Sequence, residues 1–235
     1  MRHSTLMRAL KYAALAVIAL TASCASMESG KSGAAAPEQS VGHSLEGITS
    51  VAVMPFYEDR SAKAAGEVRM CRITELTFTA GPVAEGAGDI IGELVRTGLA
   101  NRGFSIAPRD MTIETFGKVQ PQNGGYSSDL AAKTGRAMHM DAVVIGTVMR
   151  YEELSGGKMA AEKPASVAFS IAVVHSEDGR ILWKAKFDKT QKDLFSDVTD
   201  YRTFFRGGMG WKKAGQLAAI GVDDVLELMP LKPGK

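Results

Sequence analysis

The feature that most restricts this chain is its first 24 residues. Met1 to Lys11 carries Arg2, Arg8 and Lys11 with no acid, Tyr12 to Ala22 is an unbroken weakly polar to apolar run, and small residues lead to Cys24. Positive, then apolar, then small is the order of a secretory signal. As a helix, the 11 residues of the run would rise roughly 16 Å, about half the hydrocarbon thickness of a bilayer, which is too short for a membrane span. Removing that segment takes three cations from the 28 basic residues and leaves the 26 acidic ones marginally ahead. A body so close to neutral implies neither nucleic acid nor an anionic membrane surface as an electrostatic partner.

The end of the run, Leu20-Thr21-Ala22-Ser23-Cys24, resembles the bacterial lipobox. The resemblance implies cleavage between Ser23 and Cys24, diacylglycerol on the Cys24 thiol, and a membrane anchor of several acyl chains, palmitate among them. One acyl chain holds a protein only marginally; several hold it essentially permanently. Ala25 and Ser26 follow, without the aspartate that retains such lipoproteins in the inner membrane, so the resemblance implies the inner leaflet of the outer membrane, facing the periplasm. Ordinary signal cleavage near Ala25, leaving a soluble periplasmic protein, is the alternative. Cysteine usage favours the lipid: only Cys24 and Cys71 exist, and a disulfide from tether to domain has no obvious purpose. Cys71 then reads as a small, partly buried strand residue rather than a nucleophile.

Residues 1–23 are thus expected to be the signal peptide, 24–46 a lipid-anchored flexible linker, and 47–235 one α/β domain. The linker reading rests on Ser, Gly, Ala, Pro, Glu and Gln with few apolar residues, a composition that cannot form a core. Beyond it, 45% apolar and 23% charged residues over the chain suit a globular body. Ile48 to Phe56 reads as a buried strand closed by Pro55, and Val68 to Thr79 as a second strand. A helix is expected from about Val83 to Asn101, stopped by Gly103, then a short strand at Phe104 to Ala107. Ser128 to His139 reads as a helix and Asp141 to Met149 as a strongly apolar strand. Val167 to Val173 and Ile181 to Phe187 alternate as two strands joined by the SEDG turn at Ser176 to Gly179. A helix from Trp211 to Met229, ended by Pro230, closes the chain. The expected fold class is α/β (mixed α+β): a single domain with helices packed on a mixed sheet and a C-terminal antiparallel meander.

VAVMPF at Val51 to Phe56, GLANRGFSI at Gly98 to Ile106, AMHMDAVVIGTV at Ala137 to Val148 and GRILWKAKF at Gly179 to Phe187 together resemble the domain shared by the TolB N-terminal region, the curli-secretion lipoprotein CsgG and the LpoB-type lipoprotein activators of penicillin-binding proteins. The resemblance implies a non-enzymatic lipoprotein that works through protein contacts in envelope assembly or secretion. Its partners would be the membrane, through Cys24, and an envelope protein, with oligomers allowed. The alternative it implies is an oligomeric CsgG-like secretion component of the outer membrane.

The residues themselves supply little for catalysis. His139 and His175 are separated by 36 positions without an HExxH-type pairing, so no metal site is expected. Gly86, Gly88 and Gly92 could open a phosphate-binding helix, but no strand immediately precedes them and no Walker lysine follows, so close packing explains them better. Glu152-Glu153 and Asp223-Asp224 are adjacent pairs that point apart. No cofactor is expected. The remaining candidate is a partner surface at Tyr201, Arg202, Phe204, Phe205, Arg206 and Trp211, residue types common in binding hot spots. Its competing explanation is that Phe204, Phe205 and Trp211 pack the last helix onto the sheet.

Overall fold

A computed structural model describes residues 37–41, 44–62, 65–120, 126–156, 161–191 and 211–230. Its centre is β7 (Ala142–Glu152), where ten consecutive residues are buried, beside β10 (Ser166–His175), where nine are. A strand apolar on both sides must be covered on both faces, and these two are. The sheet runs β1 (Glu38–Val41), β11 (Ile181–Thr190), β10, β7, β2 (Ser50–Val53), β6 (Ser105–Ile106), with β3 (Tyr57–Glu58) continuing beside β7. β1, β11, β10 and β7 pair antiparallel, whereas β2 and β3 pair parallel to β7 and β6 parallel to β2. The mixed sheet and its C-terminal meander are those the sequence predicts. β1 lies inside the 24–46 stretch expected to be spacer, so the ordered sheet starts at Glu38, opposite Lys186.

One face is covered by α1 (Ala87–Asn101) and α4 (Ala214–Glu227). Ile91, Val95 and Leu99 from α1 and Leu217, Val222 and Leu226 from α4 pack on Val144, Val148, Phe169, Trp183 and Phe187. The rings of Phe169 and Phe187 lie 5.6 Å apart. α4 approaches closely because Gly221 faces Phe187, where a Cβ would sit 2.6 Å from the ring. α1 starts four residues later than Val83, because that residue bridges to Tyr151 and the Tyr151 amide donates to Pro82 O at 2.8 Å. α4 likewise starts after Trp211: Lys213 is extended, and its amide donates to Gln216 Oε1 at 3.0 Å.

The other face is divided. α3 (Ser128–Ala137), capped by Ser127 Oγ, sets Leu130 and Ala131 against Ala52, Val143, Ile145 and Val174. α2 (Arg109–Val119), for which the sequence predicts no element, lies beside it and sets Phe116 and Val119 against the same cluster. The remaining half is covered by a hairpin of β4 (Glu67–Met70) and β5 (Thr77–Ala80), which puts Cys71, Leu76 and Phe78 on Met149 and Ala168. Val68 to Thr79 is therefore two strands and a turn rather than one strand. Each has four residues, under half of the roughly 9–11 a tilted strand needs to cross a bilayer. Two further short strands, β8 (Ser155–Gly156) and β9 (Ala161–Lys163), pair after β7.

Candidate functional site, a cleft between the hairpin and the helices

Between the two covers of the divided face lies a cleft of about 590 Å3. Thr147 and Met149 of β7 form its floor, Arg69 to Ile73 one wall, and Phe116, Gln120 and Tyr126 the other, with Pro55 to Tyr57 at the mouth. The Tyr126 ring stacks on Tyr57 at 5.9 Å and meets Phe116 edge-on at 6.4 Å. Its hydroxyl donates to Pro55 O at 2.7 Å and accepts from the Gly146 amide at 3.4 Å. Burial pushes that phenol well above its ordinary pKa. It is a fixed donor rather than a titrating one.

Tyr57 is half exposed and Met70 63% exposed at the rim, so the cleft offers large apolar surface to a partner. Asp59 pairs with Arg69 at 3.4 Å and accepts from Ser61, and Arg72 is exposed beside it. At the base, Cys71 is 2% exposed and accepts from Ser170 Oγ at 3.4 Å. Burial works against its thiolate, but hydrogen bonds from Ser170, Thr74 and Thr147 draw the thiol below its ordinary value. The thiol is buried and hydrogen-bonded at the base of the cleft, one residue past the end of β4. What such a cleft can do is grip an apolar or aromatic side chain and its flanking backbone.

The hairpin wall is held by a buried ion pair and, at its turn, by Lys184 and Glu75 at 3.7 Å. Arg150, 5% exposed, donates to Asp188 at 2.8 Å and to Thr79 O and Ser166 Oγ, while Asp188 also accepts from the Thr79 amide at 2.8 Å. At the other end of the sheet, Asp141 accepts from the Thr49 amide and hydroxyl, both at 2.9 Å, and from the Ser50 amide at 2.8 Å. Burial alone would raise its carboxyl, but the bonds from Ser50 and Thr49 outweigh that and hold the pKa at about 2. Nothing in the sequence reading singled out Arg150, Asp188, Asp141 or Tyr126.

The sequence-predicted residues fare differently. Cys24 and Ser23 lie outside the described residues, as do Tyr201, Arg202, Phe204, Phe205 and Arg206; Trp211 is described and partly buried just before α4. His139 and His175, far apart in sequence, line one surface depression of about 450 Å3 with Arg136, Asp141 and Glu177. His175 Nδ1 lies 3.1 Å from Asp178. Among the described residues no group of three or more His, Cys, Asp or Glu could hold a metal ion. Of the glycines that open α1, Gly88 serves packing, since a Cβ there would sit 2.7 Å from Phe56 O, and its amide donates to Glu58 Oε1 at 2.9 Å; Gly86 instead takes the left-handed conformation, at φ 79°, with open space around it. The helix end that could have taken a phosphate is occupied by a carboxylate of the chain itself. Glu153 accepts from the Ala214 amide at 3.2 Å and so serves the start of α4.

No protein-family model and no curated protein matches the chain. Among solved structures it is similar to the PelC dodecamer from Paraburkholderia phytofirmans, at 15% identity over 85% of this chain and 98% of that one, with a TM-score of 0.49. It is also similar to the lipoprotein GNA1162 from Neisseria meningitidis, at 19% identity, 66% and 97% coverage and a TM-score of 0.37. A third is the LpoB C-terminal domain from Salmonella enterica, at 16% identity, 62% and 87% coverage and a TM-score of 0.36. Likenesses at that level leave the partner and the activity of this chain to its own residues.

Proposed function

We propose that this chain is an exported lipoprotein, anchored by acyl chains on Cys24 to the periplasmic leaflet of the outer membrane, that acts without catalysis by binding another protein of the cell envelope. The observation that carries the reading is the order of cationic, apolar and small residues ending at Cys24. Removal of residues 1–23 would leave Cys24 at the N-terminus, 14 positions before the first strand. Such a segment has an r.m.s. reach of roughly 20 Å. The domain would be confined to a thin shell beside the membrane, where a raised effective concentration lets a weak interface suffice. The binding surface is the cleft rimmed by Tyr57, Met70 and Phe116, the described concavity that combines aromatic rings with an exposed apolar edge.

The test is photo-crosslinking in intact cells from a benzophenone amino acid at position 57. An adduct with an envelope protein is expected, and it should weaken strongly when Cys24→Ala frees the domain. No adduct in the anchored protein, or an equal one from the Cys24→Ala form, contradicts the reading.

A further inference from the structure

The β4–β5 hairpin has two sides. Phe78 and Ala80 face the core, while Val68 and Met70, 71% and 63% exposed, stand on the outer side opposite Thr79 and Thr77. That outer face is uncharged, two large apolar side chains beside two threonines, and all four are exposed among the described residues. Its position relative to the tether gives it an occupant. Glu38 opens β1 opposite Lys186, and Lys186 Nζ donates to Thr77 O at 2.8 Å. Because the strands are antiparallel, the N-terminal end of β1 points along β11 toward Asp188, which accepts from the Thr79 amide. The N-terminal end of the described sheet, at Glu38, therefore lies on the side of the sheet edge to which this hairpin is bonded.

From these placements we infer that the outer face of the β4–β5 hairpin rests on the lipid surface to which Cys24 is attached, an inference that depends on the anchoring proposed above. The proposed anchor lies 14 positions before β1, which favours this side of the domain toward the bilayer, and among the described residues the exposed large apolar side chains of the hairpin are Val68 and Met70. The hairpin is preorganised for this, since the Arg150–Asp188 pair fixes it to the sheet and no loop must order on contact. Around it Arg69, Arg72, Lys184 and Lys186 are mixed with Asp59, Glu67 and Glu75, while Asp188 is taken up by Arg150, so no strong field of one sign surrounds the face and the contact depends little on salt. Docked in this way, the hairpin sets the cleft mouth, whose rim includes Met70, at the level of the headgroups.

The experiment uses the acylated protein in vesicles of phosphatidylethanolamine and phosphatidylglycerol doped with a headgroup-nitroxide lipid. A bimane probe is placed by Val68→Cys or, as control on the exposed side of α2 across the cleft, by Met111→Cys; the parent protein reports any labelling of Cys71. Quenching at position 68 is expected to be several-fold that at 111, to survive raised salt, and to be lost on adding Met70→Asp while the protein still floats with the vesicles. Equal quenching at the two positions overturns the docking alone. Shielding of the position-68 probe in the absence of vesicles overturns it in favour of a second copy or a protein partner. A parent protein that does not float at all overturns the anchoring, and this inference with it.

Discussion

At the scale of single residues, the best-placed side chains are the ones that join segments far apart in sequence. Arg150 and Asp188 meet at 2.8 Å in the interior and share Thr79 between them. Removing one partner strands a buried charge, so Asp188→Ala should cost about 3–5 kcal/mol, measured by urea unfolding. Pairing it with Arg150→Met should restore much of the loss, because a buried ion pair replaced by apolar groups is often neutral. Asp141 is the acid-sensitive counterpart. Its folded pKa of about 2 lies below the ordinary 3.8, so its contribution is complete above about pH 4 and is lost as the pH falls toward 2. Asp141→Asn should cost about 1 kcal/mol at neutral pH, the site being partly open to solvent, and should flatten the stability profile between those limits. These residues were not legible in the sequence, because nothing local to Asp141 announces that it will meet Thr49 and Ser50 about 90 positions earlier.

At the scale of elements, what could be read was what repeats. β7, β10 and β11 announce themselves as apolar runs or alternations, and α1 and α4 as apolar stripes. α2 escaped because it buries little: Thr112 is its one fully buried residue, and the apolar Met111 and Ile113 are exposed, so its apolar residues do not mark one face. The hairpin escaped because its turn lacks glycine or proline; Glu75 takes the left-handed conformation, at φ 58°, and its amide donates to Cys71 O at 2.8 Å. β1 escaped because an edge strand held by backbone pairing needs no apolar side chains. Where helix meets sheet, fit rather than pattern decides. Gly221→Val drives two methyls into the Phe187 ring, since even a lone Cβ at that position would sit 2.6 Å from it. The substitution should cost about 1–3 kcal/mol or more, seen as a lowered thermal midpoint.

At the scale of the whole molecule, a neutral α/β body with a solvent-facing aromatic cleft follows a short N-terminal segment that ends in a lipobox-like cysteine. The expectation for the segment rests on a linear order of residue types, which needs no fold to be visible. The cleft could not be read in that way, since Tyr57, Cys71, Phe116 and Tyr126 come from four separate stretches. Everything proposed for the cleft and the hairpin depends on where the body is held. Mass spectrometry of the mature protein extracted from its native envelope tests that most directly. The account predicts an N-terminal peptide that begins at Cys24 and carries diacylglycerol and fatty-acid mass on it. An unmodified N-terminus at Ala25 or beyond, or a Cys24 that alkylates as a free thiol, would contradict it.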